Sequence, residues 1–247
     1  MLGIPEGQPR EDAVFATTRW TMVLGTQGAD STLVQRALED LCRAYWRPVY
    51  AFMRRRGHAQ HEAQDLTQEF FARLLAGNGL RLADPERGRF RTFLLSAVKH
   101  FLANEWDKAR TLKRGGDREF VPISIGDDTT GFGVEPAGGV SPERAYDRQW
   151  ALSVLDAVLE RLQREHEQAG KLAVFERLKG TLMVGRRDVS YAALGEPLGM
   201  SEGAVKVMVH RLRQRYRVVL REEIASTLED PGKAEDELRE LFAALAG

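Results

Sequence analysis

Cysteine occurs once in the 247 residues, at Cys42. No internal disulfide or multi-thiolate zinc site can therefore form, and the chain suits a reducing compartment. No run approaches the ~18 apolar residues of a spanning helix. The opening MLGIPEGQPR also lacks the apolar stretch of a secretory signal. A cytoplasmic chain without membrane association is expected. The phosphate loop GxxxxGK[ST] and the zinc-protease string HExxH are both missing. His58, His61 and Glu62 form a ligand-like cluster, but no third-ligand pattern accompanies them, and they read as helix surface. No catalytic residue, metal or cofactor is expected. Net charge is missing too, with 36 basic against 36 acidic residues. Taken as an average, that argues against a nucleic-acid partner.

The average hides a strong sorting of charge along the chain. From Arg87 to Arg118 nine basic residues face three acids, and from Glu119 to Asp147 six acids face one arginine. From Gly203 to Arg221 six basic residues meet no acid at all, and from Glu222 to Gly247 eight acids face two basic residues. Two basic patches, an acidic linker and an acidic tail make an organised pattern. Clustered Lys and Arg are the electrostatic footprint of phosphate binding, because each neutralised phosphate releases counterions.

What fills the chain is helical periodicity. An apolar fraction of 43% can furnish cores, and the length allows one large or two small domains. Ser31 is a plausible cap for a helix through Leu33, Ala37, Leu38 and Leu41, with Pro48 kinking or restarting it and Gly57 ending it. Leu66, Phe70 and Leu74 repeat on the next helix. Phe90, Phe93, Leu94, Ala97, Val98, Phe101 and Leu102 form a broad stripe on a long third one. The glycines and prolines of 115–142 break the pattern, save for a short extended piece at 120–125. Ser141-Pro142-Glu143 then starts another helix. The fold class is all-α: two small helical domains joined by a flexible linker, the C-terminal one with a helix-turn-helix. The bounds are an extension at 1–30, a helical domain at 31–114, a linker at 115–142, a second domain at 143–225 and an amphipathic acidic tail at 226–247.

Two strings carry the chemistry. At 190–213 stands SYAALGEPLGMSEGAVKVMVHRLR. Ser190 caps a short helix that Pro197 must kink or end, Gly199 supplies a turn, and Ser201 caps a second helix. On that helix Val205, Met208, Val209, Leu212 and Tyr216 share one face, while Lys206, His210, Arg213 and Arg217 share another. An acid-free basic face opposite a packing face is what a major groove accepts. At 63–75 stands AQDLTQEFFARLL. If its apolar residues turn inward, Asp65, Gln68, Glu69 and Arg73 are left on an outer face.

These strings carry a resemblance. The 63–75 helix resembles the polymerase-binding helix of bacterial sigma-70-family factors, especially the small extracytoplasmic-function (ECF) type. RFRTFLLSAVKHFLANEW at 89–106 resembles the following helix, which engages the −10 promoter element. The 190–213 string resembles the family's helix-turn-helix, which reads the −35 element. The resemblance covers about 43–110 and 150–222, in the family's order.

The resemblance implies a non-enzymatic factor that binds core RNA polymerase, recognises promoter DNA at its −10 and −35 elements and supports transcription initiation. Asp65, Gln68, Glu69 and Arg73 would meet polymerase. Arg89, Arg91, Lys99, Asn104, Trp106 and Arg110 would meet the −10 element, with loop 80–89 receiving a flipped base. Ser201, Glu202, Gly203, Lys206, His210, Arg211, Arg213 and Arg217 would meet the −35 element. The alternative is a stand-alone helix-turn-helix regulator that binds an operator without polymerase. An anti-sigma factor, or the chain's own tail, would supply restraint. Leu238, Leu241, Phe242 and Leu245 give that tail an apolar face. It would either screen the helix-turn-helix or complete the second domain's core.

Overall fold

The structure, a computed structural model, describes residues 31–76, 89–112, 140–182, 190–228 and 230–246. The N-terminal extension, the loop 80–88, the extended piece at 120–125 and most of the linker lie outside them. The helices are α1 (Ser31–Arg55), α2 (Gln60–Ala76), α3 (Phe90–Leu112), α4 (Pro142–Gln168), α5 (Leu172–Leu178), α6 (Tyr191–Gly195), α7 (Glu202–Ala225) and α8 (Ala234–Ala246). Short 3-10 turns stand at Lys179–Leu182, Glu196–Leu198 and Pro231–Lys233. No strand occurs among the described residues, and the all-α reading holds.

The chain divides into two units. One comprises Met1–Ala151 with Ala225–Gly247, the other Leu152–Ile224. The boundary falls inside α4, and the acidic tail belongs to the first unit.

In the first unit, α1 continues through Pro48, so the helix does not restart there. It closes on Gly57, whose amide donates to the Arg54 carbonyl at 3.1 Å, while the His58 amide reaches the Met53 carbonyl at 3.4 Å. That pair of bonds satisfies carbonyls the helix end leaves open. Leu41, Tyr45, Val49 and Phe52 are buried on α1, and Phe90, Leu94, Val98 and Phe101 on α3. The side of α2 that turns inward is rotated from expectation. Ala63, Thr67, Phe70, Phe71 and Leu74 are buried, while Leu66 is half-buried. Thr67 tolerates the interior because its hydroxyl donates to the Ala63 carbonyl at 2.6 Å. Phe70 sits edge-on to both Phe71 and Phe101, with ring centroids 5.2 and 5.7 Å apart. Burial, with Glu39 nearby, pushes the Cys42 thiol up to about 11. It therefore stays a protonated, inert core group at neutral pH.

The start of α4 follows its sequence signal. Ser141 Oγ accepts from the Arg144 amide at 3.2 Å, and Pro142 occupies the first turn, where its missing N–H costs nothing. Tyr146 and Trp150 are fully buried on α4, and the Tyr146 hydroxyl donates to the Arg91 carbonyl at 3.1 Å.

α8 closes this unit through charge. Arg91, only 8% exposed, donates from Nε to Glu237 and from Nη1 to Asp147, both at 2.7 Å. Its Nη2 also bonds Glu240, and its guanidinium lies 4.4 Å from the Trp150 ring centroid. Glu237 is 1% exposed and also pairs with Arg89 at 2.8 Å. Burial holds the Asp147 carboxyl above its ordinary range, whereas the bond from Arg89 holds Glu240 below it. Leu241 and Ala234 of the same helix are also buried. The tail was expected either to screen the helix-turn-helix or to finish the second domain. It joins the first unit, where its carboxylates pair with Arg91, and so does not finish the second domain's core.

In the second unit, Val154, Val158 and Leu162 of α4 are buried, as are Phe175 and Leu178 of α5 and Val205, Val209, Leu212, Val219 and Ile224 of α7. α4 and α7 are also joined by charge. Arg215 makes a two-pronged contact to Glu165 at 2.9 and 2.6 Å, and Arg161 reaches Glu222 at 2.5 Å. The Arg215 bond holds the Glu165 carboxyl below its usual range.

Removing one partner of a buried ion pair leaves the other charge desolvated and unmatched, at about 3–5 kcal/mol. Glu237→Ala should lower the urea-unfolding free energy of the full chain by about that much. Arg91→Met with Glu237→Leu should recover most of the loss. A Glu237→Ala protein as stable as wild type would show that the cluster is not structural.

Candidate nucleic-acid interface

The helix-turn-helix is built by small local constraints. Ser190 Oγ accepts from the Ala193 amide at 3.3 Å, capping α6. Pro197 acts as expected: α6 stops at Gly195 and the chain continues as the 3-10 turn Glu196–Leu198. Gly199 then reverses the chain at φ +63°, a region that side chains with a Cβ rarely adopt. Gly195 answers a different need. A Cβ there would stand 2.5 Å from the Met200 carbonyl oxygen and 2.9 Å from Val205 Cγ2. Ser201 Oγ accepts from the Ala204 amide at 3.3 Å and starts α7.

On α7 the packing face is Val205, Val209 and Leu212, buried, with Met208 and Tyr216 half-buried. Ser201, Glu202, Gly203, Lys206, His210, Arg211, Arg213 and Arg217 are all exposed. Exposure does not make them equivalent. Lys206 pairs with Glu202 one turn earlier at 2.7 Å. Arg213 turns back onto its own unit, where Nε and Nη2 donate to the Thr181 carbonyl at 3.3 and 2.9 Å. His210, Arg211 and Arg217 have no side-chain partner among the described residues. The sequence reading gave Arg215 no role, and Glu165 engages it. It also passed over Val207, which is 51% exposed between Lys206 and Arg211. Helical spacing could have found it, since Val207 falls opposite Val205 and Val209.

The α3 residues divide as well. Lys99, Asn104 and Trp106 are exposed, Trp106 by 68%, and the Arg110 side chain lies outside those described. Arg91, expected among the −10 contacts, is instead buried in the ion cluster. Arg89 is half-buried and held by Glu237 and Glu240. The physical reason is α8, whose carboxylates lie nowhere near α3 in the sequence. Lys99 itself pairs with Glu143 at 2.9 Å.

On α2, Asp65 and Arg73 are exposed, and Gln68 and Glu69 are half-buried. Arg73 is a cross-link as much as a surface group. It pairs with Glu69, reaches Glu105 of α3 at 2.5 Å and lies 5.1 Å from the Phe101 ring centroid. Asp65 makes no such bond among the described residues. His58 Nδ1 meets Glu62 at 2.9 Å. No group of three or more His, Cys, Asp or Glu among the described residues is placed to hold a metal. No described helix is long and apolar enough to cross a membrane.

Residues 41–111 match the family model for sigma-70 region 2. Over 224 residues the chain is 28% identical to the ECF RNA polymerase sigma factor SigE of Mycolicibacterium smegmatis, covering 90% of this chain and 72% of that one. Over 177 residues it is 27% identical to the RNA polymerase sigma factor YlaC of Bacillus subtilis, covering 72% of this chain and 88% of that one. No solved structure matches it. The region 2 match falls on α1 to α3, and the likeness to the two sigma factors extends over most of the chain. The chain is thus similar to sigma-70-family factors, one of them of the ECF type, and carries a region 2 match over 41–111.

The two kinds of basic residue on α7 should separate by experiment. Arg217→Ala removes a cation with no described partner and should reduce the salt slope of DNA binding by about one unit. Arg213→Ala removes a cap on a carbonyl, so it should cost about 1 kcal/mol of stability and leave that slope nearly unchanged. Equal slopes and equal melting temperatures for the two variants would refute the division.

Proposed function

We propose that this chain acts in the cytoplasm as a sigma factor. As such it joins core RNA polymerase, recognises −10 and −35 promoter elements and supports initiation without catalysing a reaction itself. The observation that carries this reading is the region 2 match over α1 to α3. The capped basic helix α7 supports the second DNA contact. Polymerase meets the α2 face centred on Asp65 and Gln68. Unpaired −10 bases stack on exposed Trp106, with Lys99 two turns earlier on the same face and Asn104 exposed on another; such stacking contributes about 1–3 kcal/mol per base. Lys206 and His210, near the start of α7, reach base edges, and Arg211 and Arg217 reach phosphates.

The direct test is co-purification with core polymerase followed by promoter-dependent run-off transcription. Asp65→Arg reverses an exposed charge that has no described partner, so folding should be little affected. It should abolish core binding with the melting temperature nearly unchanged. Normal holoenzyme assembly by this variant would sink the α2 assignment. A chain that bound operator DNA tightly but never polymerase would be a stand-alone regulator.

Restraint comes from within the chain, whether or not a separate anti-sigma factor adds to it. Glu240 of α8 and Glu143 of α4 hold Arg89 and Lys99 as phosphates would. Promoter DNA must exchange with these carboxylates. Both acids are half-exposed, so the pairs are weak and screened by salt. Glu143→Gln with Glu240→Gln should therefore tighten binding of the free factor to −10 DNA several-fold at low salt and little at high salt. Unchanged affinity at low salt would rule the restraint out.

A further inference from the structure

Val207 lies off the packing face of α7. It is 51% exposed on the side of α7 opposite the buried Val205, Val209 and Leu212. Lys206 and His210 lie to one side of it and Arg211 to the other. An isolated surface valine ordinarily needs no explanation. This one occupies the centre of the face that the cations flank, in the second turn of a helix whose first turns enter the groove. Val218, 42% exposed three turns later, lies too far along to reach bases. Phosphate contacts fix register, and Val207 stands on the same early turns as Lys206 and His210, whose side chains reach base edges.

A valine there can read one feature only. It neither donates nor accepts a hydrogen bond, so it gains nothing from the polar edges of guanine, cytosine or adenine. Covering them strips away water without replacing it. The thymine 5-methyl group is the apolar feature of the major groove. Branching at Cβ restricts the side chain to essentially one rotamer on a helix, so its methyl groups hold a fixed position. We infer that Val207 selects thymine at one base pair of the −35 element by packing against its 5-methyl group. The inference rests on the −35 reading of α7 and names the base it prefers.

The test changes the methyl group and nothing else. The full-length chain with core polymerase is used to enrich a −35 element from duplexes randomised upstream of a fixed start region. The enriched duplex is remade with each thymine replaced in turn by deoxyuridine, which keeps the base pair and its hydrogen bonds. Uracil at one position should weaken the wild-type complex about fourfold, the worth of one buried methyl-sized group. Val207→Ala, an exposed substitution that favours helix, should bind thymine and uracil equally there and keep the wild-type salt slope. The inference is overturned if the enriched element holds no A·T pair or if no single thymine is sensitive. It is also overturned if the sensitivity persists in Val207→Ala. Enrichment of no element at all would instead overturn the −35 reading, and this inference with it.

Discussion

A guanidinium withdrawn from water must find carboxylates, and Arg91 finds three. Glu237 and Glu240 come from the last helix, Asp147 from the helix that follows the linker, and Trp150 covers the cation's face. Desolvating so many charges is costly, and only a nearly complete set of bonds offsets it. The cluster therefore acts as a condition on the fold. With α8 in place, α3 and the start of α4 can share a core with Tyr146 and Leu241; without it, Arg91 is an unmatched buried charge. That condition explains why residues 225–247 belong to the first unit although a whole helix-turn-helix intervenes in the sequence.

The same logic of satisfied and unsatisfied charge separates cations tied into the fold from those without a described partner. Arg213, Arg215 and Arg161 look alike in the sequence, each an arginine on an amphipathic helix. Each is tied within the second unit, to a carbonyl or a carboxylate. Arg211 and Arg217 differ from them only in lacking such a partner among the described residues. A basic patch counted from composition thus overstates the cations available to DNA. What remains on α7 is a narrower surface, with charge at its edges and a valine at its centre. In the proposed reading both parts serve, since charge supplies affinity and register while an apolar centre adds preference.

Much of this was legible in the residues alone. Local rules act within a turn or two, so the sequence determined the helices, the caps at Ser141, Ser190 and Ser201, and the break at Pro197. It also determined the sorting of charge into basic and acidic blocks, and the three strings in order that resemble a sigma factor. Where a local rule met a tertiary demand, the reading shifted. Pro48 sits inside α1 without ending it, and α2 buries Thr67 more fully than Leu66, which the hydroxyl's bond to its own helix makes tolerable. Only the tertiary structure decided which charges are spoken for. Arg91 and Glu237 are separated by most of the chain, and nothing in the neighbourhood of either residue names the other. Periodicity tells which side of a helix is polar. Which polar groups are buried against an opposite charge depends on what distant segment arrives there.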